Sequence, residues 1–174
     1  MAKIAFIIDE MFEDSEFKVP YERAKEAGHE PVIIGLEAGK ELMGKKGEVK
    51  ITTEKSIDEV TPEEFDALVI PGGYSPDKIR SNRGMVAITK GIFEASKPVA
   101  AICHAGWMLA EADIIKGKTV TSWPSIKTDL INAGANWVDQ EVAEDGNLIT
   151  SRKPDDLEAF SKALLAQIEQ SPSS

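Results

Sequence analysis

The chain has 174 residues, with 20 lysines and arginines against 30 aspartates and glutamates, a formal net charge of −10, 42% hydrophobic residues, 13 glycines and 9 prolines. That is ordinary globular usage, which excludes disordered, collagenous and low-complexity classes, and at about 100–200 residues per domain the length fits one domain. The acidic balance argues against nucleic acid and anionic lipid as partners, and no window approaches the ~20 apolar residues of a membrane span.

Residues 1–9 hold one lysine, a short apolar run and then acids, without the cleavage region of a signal peptide, so a cytoplasmic protein is expected. A single domain over residues 1–170, followed by a frayed tail at 171–174, is the expected organisation. The lone cysteine, Cys103, excludes an internal disulfide. With only His29 and His104 beside it, no metal site is expected.

In chain order, residues 3–8 form a nearly continuous apolar run, the pattern of a strand buried on both faces of a parallel sheet. After a polar connection at 9–14, Ser15 caps a helix carrying Phe17, Tyr21 and Ala24, closed by Gly28 and shortened by Pro20. Residues 31–35 give a second buried strand, so the chain opens β-α-β and the sheet is parallel. Residues 45–55 alternate Val49, Ile51 and Thr53 with polar neighbours, as a half-exposed strand does. Thr61-Pro62-Glu63-Glu64 combines a cap, proline at the first helical position and glutamate three residues on, and opens a short helical turn. Strands at 67–70 and 99–102 flank a helix at 85–95. Then come a helix at 104–112, a strand at 119–121, a helix at 125–133 and a short strand at 137–138. Asp145-Gly146 marks a hairpin within 142–149, and an amphipathic helix spans 155–169. No internal repeat is present. The fold class is α/β, a doubly wound sandwich, whose sites lie beyond the carboxyl ends of its strands.

Three such ends hold candidate chemistry. Cys103 follows Val99-Ala100-Ala101-Ile102 directly and precedes a helix, a strand–nucleophile–helix turn in which the helix dipole should favour thiolate. Neighbours on a regular helix do not face each other, so His104 is expected to bond a carboxylate from elsewhere in the chain or from a second subunit rather than the Cys103 thiol. Its backbone N–H can serve an oxyanion. Glu13 lies just past the first strand. Beside a thiol, a protonated carboxyl donates a hydrogen bond and an ionised one raises the thiol pKa; Asp9, Glu10 and Asp14 compete for that place. Gly72 and Gly73 permit positive φ and expose N–H donors for an oxyanion or carbonyl oxygen. Asp77 and Arg80 follow on a loop. His29 reads as structural and Trp107 as packing.

Together these residues resemble the PfpI branch of the ThiJ/PfpI superfamily, from Lys3 to about Glu169. The resemblance rests on Phe12-Glu13-Asp14, on residues 65–73 ending in Pro71-Gly72-Gly73, and on residues 97–104 ending in Cys103-His104. Residues 121–127, Asn132-Ala133-Gly134 and Ser151-Arg152 complete it. It implies a flavodoxin-like three-layer α/β/α sandwich with a mainly parallel sheet and a homo-oligomer, a dimer or a hexamer. It maps the reactive cysteine to Cys103, the adjacent histidine to His104, the acid touching the thiol to Glu13, and the Gly-Gly turn to Gly72 and Gly73. The glutamate that protease-like members receive from a neighbouring subunit maps to Asp77, one methylene shorter. The family's Cys-His-Gly-Pro is here Cys103-His104-Ala105-Gly106, and both departures argue against a peptidase triad. The glutamine-amidotransferase pattern needs a later His-x-Glu pair, and no histidine follows His104.

The resemblance therefore implies a cysteine enzyme of the glyoxalase or deglycase kind. Cys103 would form a hemithioacetal with a small reactive aldehyde or a glycated adduct, Glu13 with His104 would move protons, and the Gly73 and His104 N–H groups would hold the oxyanion, with no cofactor. A cysteine peptidase or amidase, and a redox-sensing stress protein with an oxidisable Cys103, are the alternatives.

Overall fold

A computed structural model describes residues 1–170; the frayed tail expected at 171–174 lies outside the described residues. The first part of the chain gives β1 (Lys3–Ile7), α1 (Asp14–Glu26), β2 (Glu30–Gly35), a hairpin of β3 (Glu41–Met43) and β4 (Lys50–Thr52), and the short strand β5 (Lys55–Ser56). Next come β6 (Ala67–Ile70), α2 (Ser75–Ile79), α3 (Arg83–Glu94) and β7 (Val99–Ile102). The chain continues through α4 (Gly106–Glu111), β8 (Thr119–Val120), α5 (Lys127–Asn132), β9 (Asn136–Trp137), β10 (Ala143–Asp145), β11 (Leu148–Ser151) and α6 (Leu157–Gln170).

The main sheet runs β10-β11-β7-β6-β1-β2-β5. Every pair is parallel except β10–β11, which the Asp145-Gly146 turn folds back. Because successive strand residues point to opposite faces, the apolar runs feed two cores. Ala5, Ile7, Leu68, Ile70, Val99 and Ala101 pack with Ile88, Ile92, Met108 and Leu109 from α3 and α4. Ile4, Phe6, Val69, Ala100 and Ile102 pack on the other side with Phe17 from α1 and Phe160 and Leu164 from α6. This is the flavodoxin-like sandwich the resemblance implied. Strand order reverses between β1 and β6, and that switch point is where open sheets place their crevice. The loops leaving both strands are tied by a bridge between Phe12 and Gly73, and β7 ends beside them at Cys103.

Several elements differ from the sequence reading. Helix α1 continues through Pro20, forgoing one backbone bond while the ring is buried. Of residues 45–55 only Lys50–Thr52 and Lys55, where β5 begins, pair as strands, because residues 44–49 turn around a buried carboxylate. The expected loop carrying Asp77 is helix α2, and the expected helix at 104–112 begins with a tight turn, Cys103–Ala105, before α4. Among the described residues, no helix is long and apolar enough to cross a membrane.

Candidate active site

The site begins with a backbone conformation. Cys103 has φ 63°, a left-handed geometry that costs an L-residue of this kind about 1–2 kcal/mol. It turns the chain sharply from β7 into the Cys103–Ala105 turn, with the thiol side chain buried at the sheet edge. Gly72 and Gly73 lie against it. A Cβ on Gly72 would sit 2.7 Å from the Cys103 Cβ and 2.3 Å from Glu16 Oε1, so only glycine fits there. Gly73, at φ +84°, turns its N–H onto the Cys103 sulfur, and the His104 N–H does the same.

His104 lies closer to the thiol than a regular helix allows. Its Nδ1 is 3.2 Å from Cys103 Sγ, which corrects the expectation that consecutive side chains cannot meet. The left-handed cysteine takes the pair out of helical geometry, where that rule applies. The other ring nitrogen, Nε2, meets Ser125 Oγ at 3.3 Å, and the imidazole lies between Trp107 and Trp123, with ring centroids 5.1 and 6.3 Å away. Burial, with the charge of Lys45, holds the His104 pKa below its ordinary value, so the ring is neutral at pH 7. Trp107 donates to Asp129 at 2.9 Å and its ring faces Arg80, so it positions the histidine as well as packing.

The carboxylates at the start of α1, Glu13 just before it and Asp14 and Glu16 within it, divide in a way the sequence reading missed. Glu16, absent from the candidates, is fully buried, and its Oε1 accepts the Gly72 N–H at 2.9 Å. Burial, reinforced by the charge of Glu13, pushes its pKa up to about 8, so it carries a proton at neutral pH. Its Oε2 has no hydrogen-bond partner among the described residues. Glu13 anchors the same loop through its backbone N–H to the Gly72 carbonyl, 3.0 Å. Its carboxylate meets Lys45 and Lys46 at 3.5 and 3.8 Å. Asp14 accepts backbone N–H groups from Lys46, Glu48 and Val49 at 2.8, 3.0 and 2.8 Å. Burial works to raise its pKa, and those donors outweigh it, leaving a lowered value. A signal for Glu16 was present: it shares the buried face of α1 with Phe17, Pro20 and Ala24.

The thiol itself reverses an expectation. Burial, and then the Glu16 carboxylate, push Cys103 up to about 12 rather than down, against the opposing Gly73 and His104 N–H groups. While Glu16 keeps its proton its charge no longer opposes the thiolate, so neutral Glu16 is the state in which the sulfur ionises most readily. Asp77 lies exposed on α2, and among the described residues no carboxylate pairs with His104. Nor does any group of three or more histidine, cysteine or acidic side chains form a metal cluster there.

A buried thiol on a strained strand-to-helix turn, with a neutral carboxyl and a histidine beside it, defines an α/β sandwich with an elbow cysteine. The model of the DJ-1/PfpI family matches residues 2–167, and the chain belongs to that family. It is 50% identical over 164 residues to "Protein/nucleic acid deglycase 2" of Escherichia coli (strain K12), covering 94% of this chain and 95% of that protein. It is 48% identical over 163 residues to "Putative cysteine protease YraA" of Bacillus subtilis (strain 168), covering 94% and 96%. Among solved structures, a two-domain protein with DJ-1/ThiJ/PfpI-like and ferritin-like domains from Anabaena variabilis superposes with a TM-score of 0.95 at 40% identity. That match covers 97% of this chain and 48% of the larger one, so this chain spans about half of it. The name of the E. coli relative includes nucleic acid, a partner class that the charge of this chain had argued against.

Proposed function

We propose that this chain is a cysteine-dependent enzyme acting on reactive aldehydes or their early adducts, of the glutathione-independent glyoxalase or deglycase kind. The observation that carries the reading is the fully buried Glu16, held on the Gly72 N–H beside Cys103, where burial keeps its carboxyl protonated. A neutral carboxyl at a thiol can give and take protons on a bound carbonyl without repelling the sulfur.

With methylglyoxal, Cys103 Sγ adds to the aldehyde carbon while neutral His104 takes the thiol proton. The carbonyl oxygen, held by the Gly73 and His104 N–H groups, becomes the hydroxyl of a hemithioacetal. Neutral Glu16 first gives its proton to the ketone oxygen, and the carboxylate so formed takes the proton of the former aldehyde carbon, leaving an enediol. Glu16 then returns that proton to the former ketone carbon and takes the hydroxyl proton of the sulfur-bearing carbon, which leaves a lactoyl thioester and neutral Glu16. Water cleaves the thioester to lactate and restores the thiol. The sequence is an internal isomerisation plus hydrolysis and needs no external oxidant or reductant. In an early glycation adduct, the sulfur displaces the amine and the same hemithioacetal follows. This passes the proton-moving role from Glu13 to Glu16, with Glu13 supporting it from the mouth of the site. Asp77 enters as an acid that a second copy of the chain would deliver to His104.

The 3.2 Å contact of Cys103 Sγ with His104 favours a second reading, a cysteine peptidase or amidase. That chemistry needs an imidazolium stabilised by an acid, and within one chain Nε2 faces a neutral serine hydroxyl, so this reading depends wholly on Asp77 from a second copy. The deciding experiment is methylglyoxal loss without glutathione, with lactate quantified, for wild type and Cys103→Ala. Lactate formed catalytically by wild type and reduced to the buffer rate in the variant is the expected result. Equal lactate from both proteins removes the aldehyde reading, and cleavage of a peptide library that depends equally on Cys103 and His104 would replace it.

A further inference from the structure

The hairpin loop between β3 and β4 crosses to the mouth of the site and is fixed there. Asp14, buried and in contact with Gly44, clasps three of the loop's backbone N–H groups, and the Lys45 N–H donates to the Phe12 carbonyl at 2.8 Å. The clasp presents two ammonium groups. Lys45 Nζ stands 3.5 Å from Glu13 Oε1 and 5.6 Å from the Tyr74 ring, and Lys46 Nζ stands 3.8 Å from Glu13 Oε2. Tyr74 follows the Gly72-Gly73 turn that packs against Cys103, so Lys45 stands beside the thiol, where its charge acts on Cys103 and His104, and Lys46 stands on the other oxygen of Glu13. Both contacts exceed the 2.7–3.2 Å of a good N–H···O bond, and Glu13 Oε2, though buried, has no hydrogen-bond partner among the described residues. Two cations thus share one carboxylate at ion-pair distance, and among the described residues neither ammonium group makes a shorter hydrogen bond.

Building on the aldehyde reading, we propose that Lys45 and Lys46 form an anion-receiving rim over Cys103, so that the preferred substrates are aldehydes carrying a carboxylate. Two ammonium groups meet the Glu13 carboxylate, while the Asp14 charge is held on the loop's backbone N–H groups, in a chain whose formal net charge is −10. A substrate carboxylate accepts the lysine N–H bonds while its aldehyde carbon reaches the sulfur. Neutral methylglyoxal would be handled without this contact.

Cys103 is the only cysteine, so its alkylation reports the rim without any turnover. Iodoacetate and iodoacetamide differ chiefly in charge, and free cysteine supplies the intrinsic ratio of their rates. The expected result is an iodoacetate-to-iodoacetamide ratio about three- to fivefold above that of free cysteine. It should fall toward the free-cysteine value in Lys45→Met and Lys46→Met and as salt rises, and climb in Glu13→Gln. In parallel, 4-carboxyphenylglyoxal should show a lower KM than phenylglyoxal at similar kcat, with the gap closing in the lysine variants. A wild-type ratio no higher than that of free cysteine, a raised ratio that survives both substitutions, or labelling by neither reagent overturns the rim. A raised, lysine-dependent ratio without conversion of either aldehyde would overturn the aldehyde reading and leave the rim standing.

Discussion

The two edges of the sheet use the same unusual backbone conformation for different ends. Where α1, α3 and α4 return toward strands, Gly28, Ser96 and Asp113 have φ of 87, 62 and 57°. Each closes its helix with paired bonds: His29 N–H to Ala24 and Gly28 N–H to Lys25, Lys97 to Ile92 and Ser96 to Phe93, Ile114 to Leu109 and Asp113 to Ala110. These are Schellman caps, in which the left-handed residue lets two orphan carbonyls be satisfied. At the carboxyl edge, Met11 and Cys103 have φ of 65 and 63°, yet neither closes a helix. Here the strain places groups: the Met11 carbonyl accepts the Tyr74 N–H at 2.9 Å, and Cys103 brings its sulfur to His104 and to the Gly73 N–H. The same φ therefore marks a fold-closing cap where the helix bonds are paired, and a built site where they are absent.

The comparison is tested most severely at Glu16, the buried acid of the carboxyl edge. Glu16→Gln keeps the shape and an acceptor for the Gly72 N–H but cannot shuttle a proton. Lactate formation should drop about 100-fold or more, with Glu13→Gln costing less. A Glu13→Gln loss equal to or greater than that of Glu16→Gln would return the proton-moving role to Glu13. The same variant reads out in stability. The folded state keeps a proton up to about pH 8 that the unfolded chain releases near 4.5, so this stabilisation is complete below 4.5 and is lost as pH rises toward 8. Wild type should lose up to about 1.4 kcal/mol per pH unit relative to Glu16→Gln across that window in urea titrations. Parallel curves would show that Glu16 ionises normally.

Gly73→Ala comes next. Its Cβ would fall 2.4 Å from the Glu13 nitrogen at φ +84°, so a loss of about 2–3 kcal/mol and a Tm lower by about 5–10 °C are expected by calorimetry. A neutral outcome would mean that the Gly72-Gly73 turn is an ordinary strand end. The smallest effect belongs to the amino edge. Ser96→Gly should be neutral to stabilising, by up to about 1 kcal/mol, with aldehyde turnover unchanged, because there the conformation serves only the cap. Altered turnover in that variant would break the distinction between the edges.

The strands at β6 and β7 were legible to the residue because a run buried on both faces is continuously apolar, and Asp145-Gly146 announced its hairpin. Helix α2 was hidden by its length: five residues carry too few turns for periodicity to show. Cys103 and the Gly-Gly turn could be read from their place after strands. The order of strands, the contact of Cys103 with His104 and the roles of the α1 acids could not.

Sequence by itself determined the doubly wound α/β class, its strands buried on both faces and the residue bearing the thiol, because burial periodicity and strand-ending turns are local properties of the chain. Only the tertiary structure decided that Glu16 is the protonated acid, Glu13 the partner of two lysines and Asp14 a backbone clasp. Three carboxylates within four residues are chemically alike until the sheet, the Gly72 turn and the β3–β4 loop set the solvent, donors and charges that each one meets.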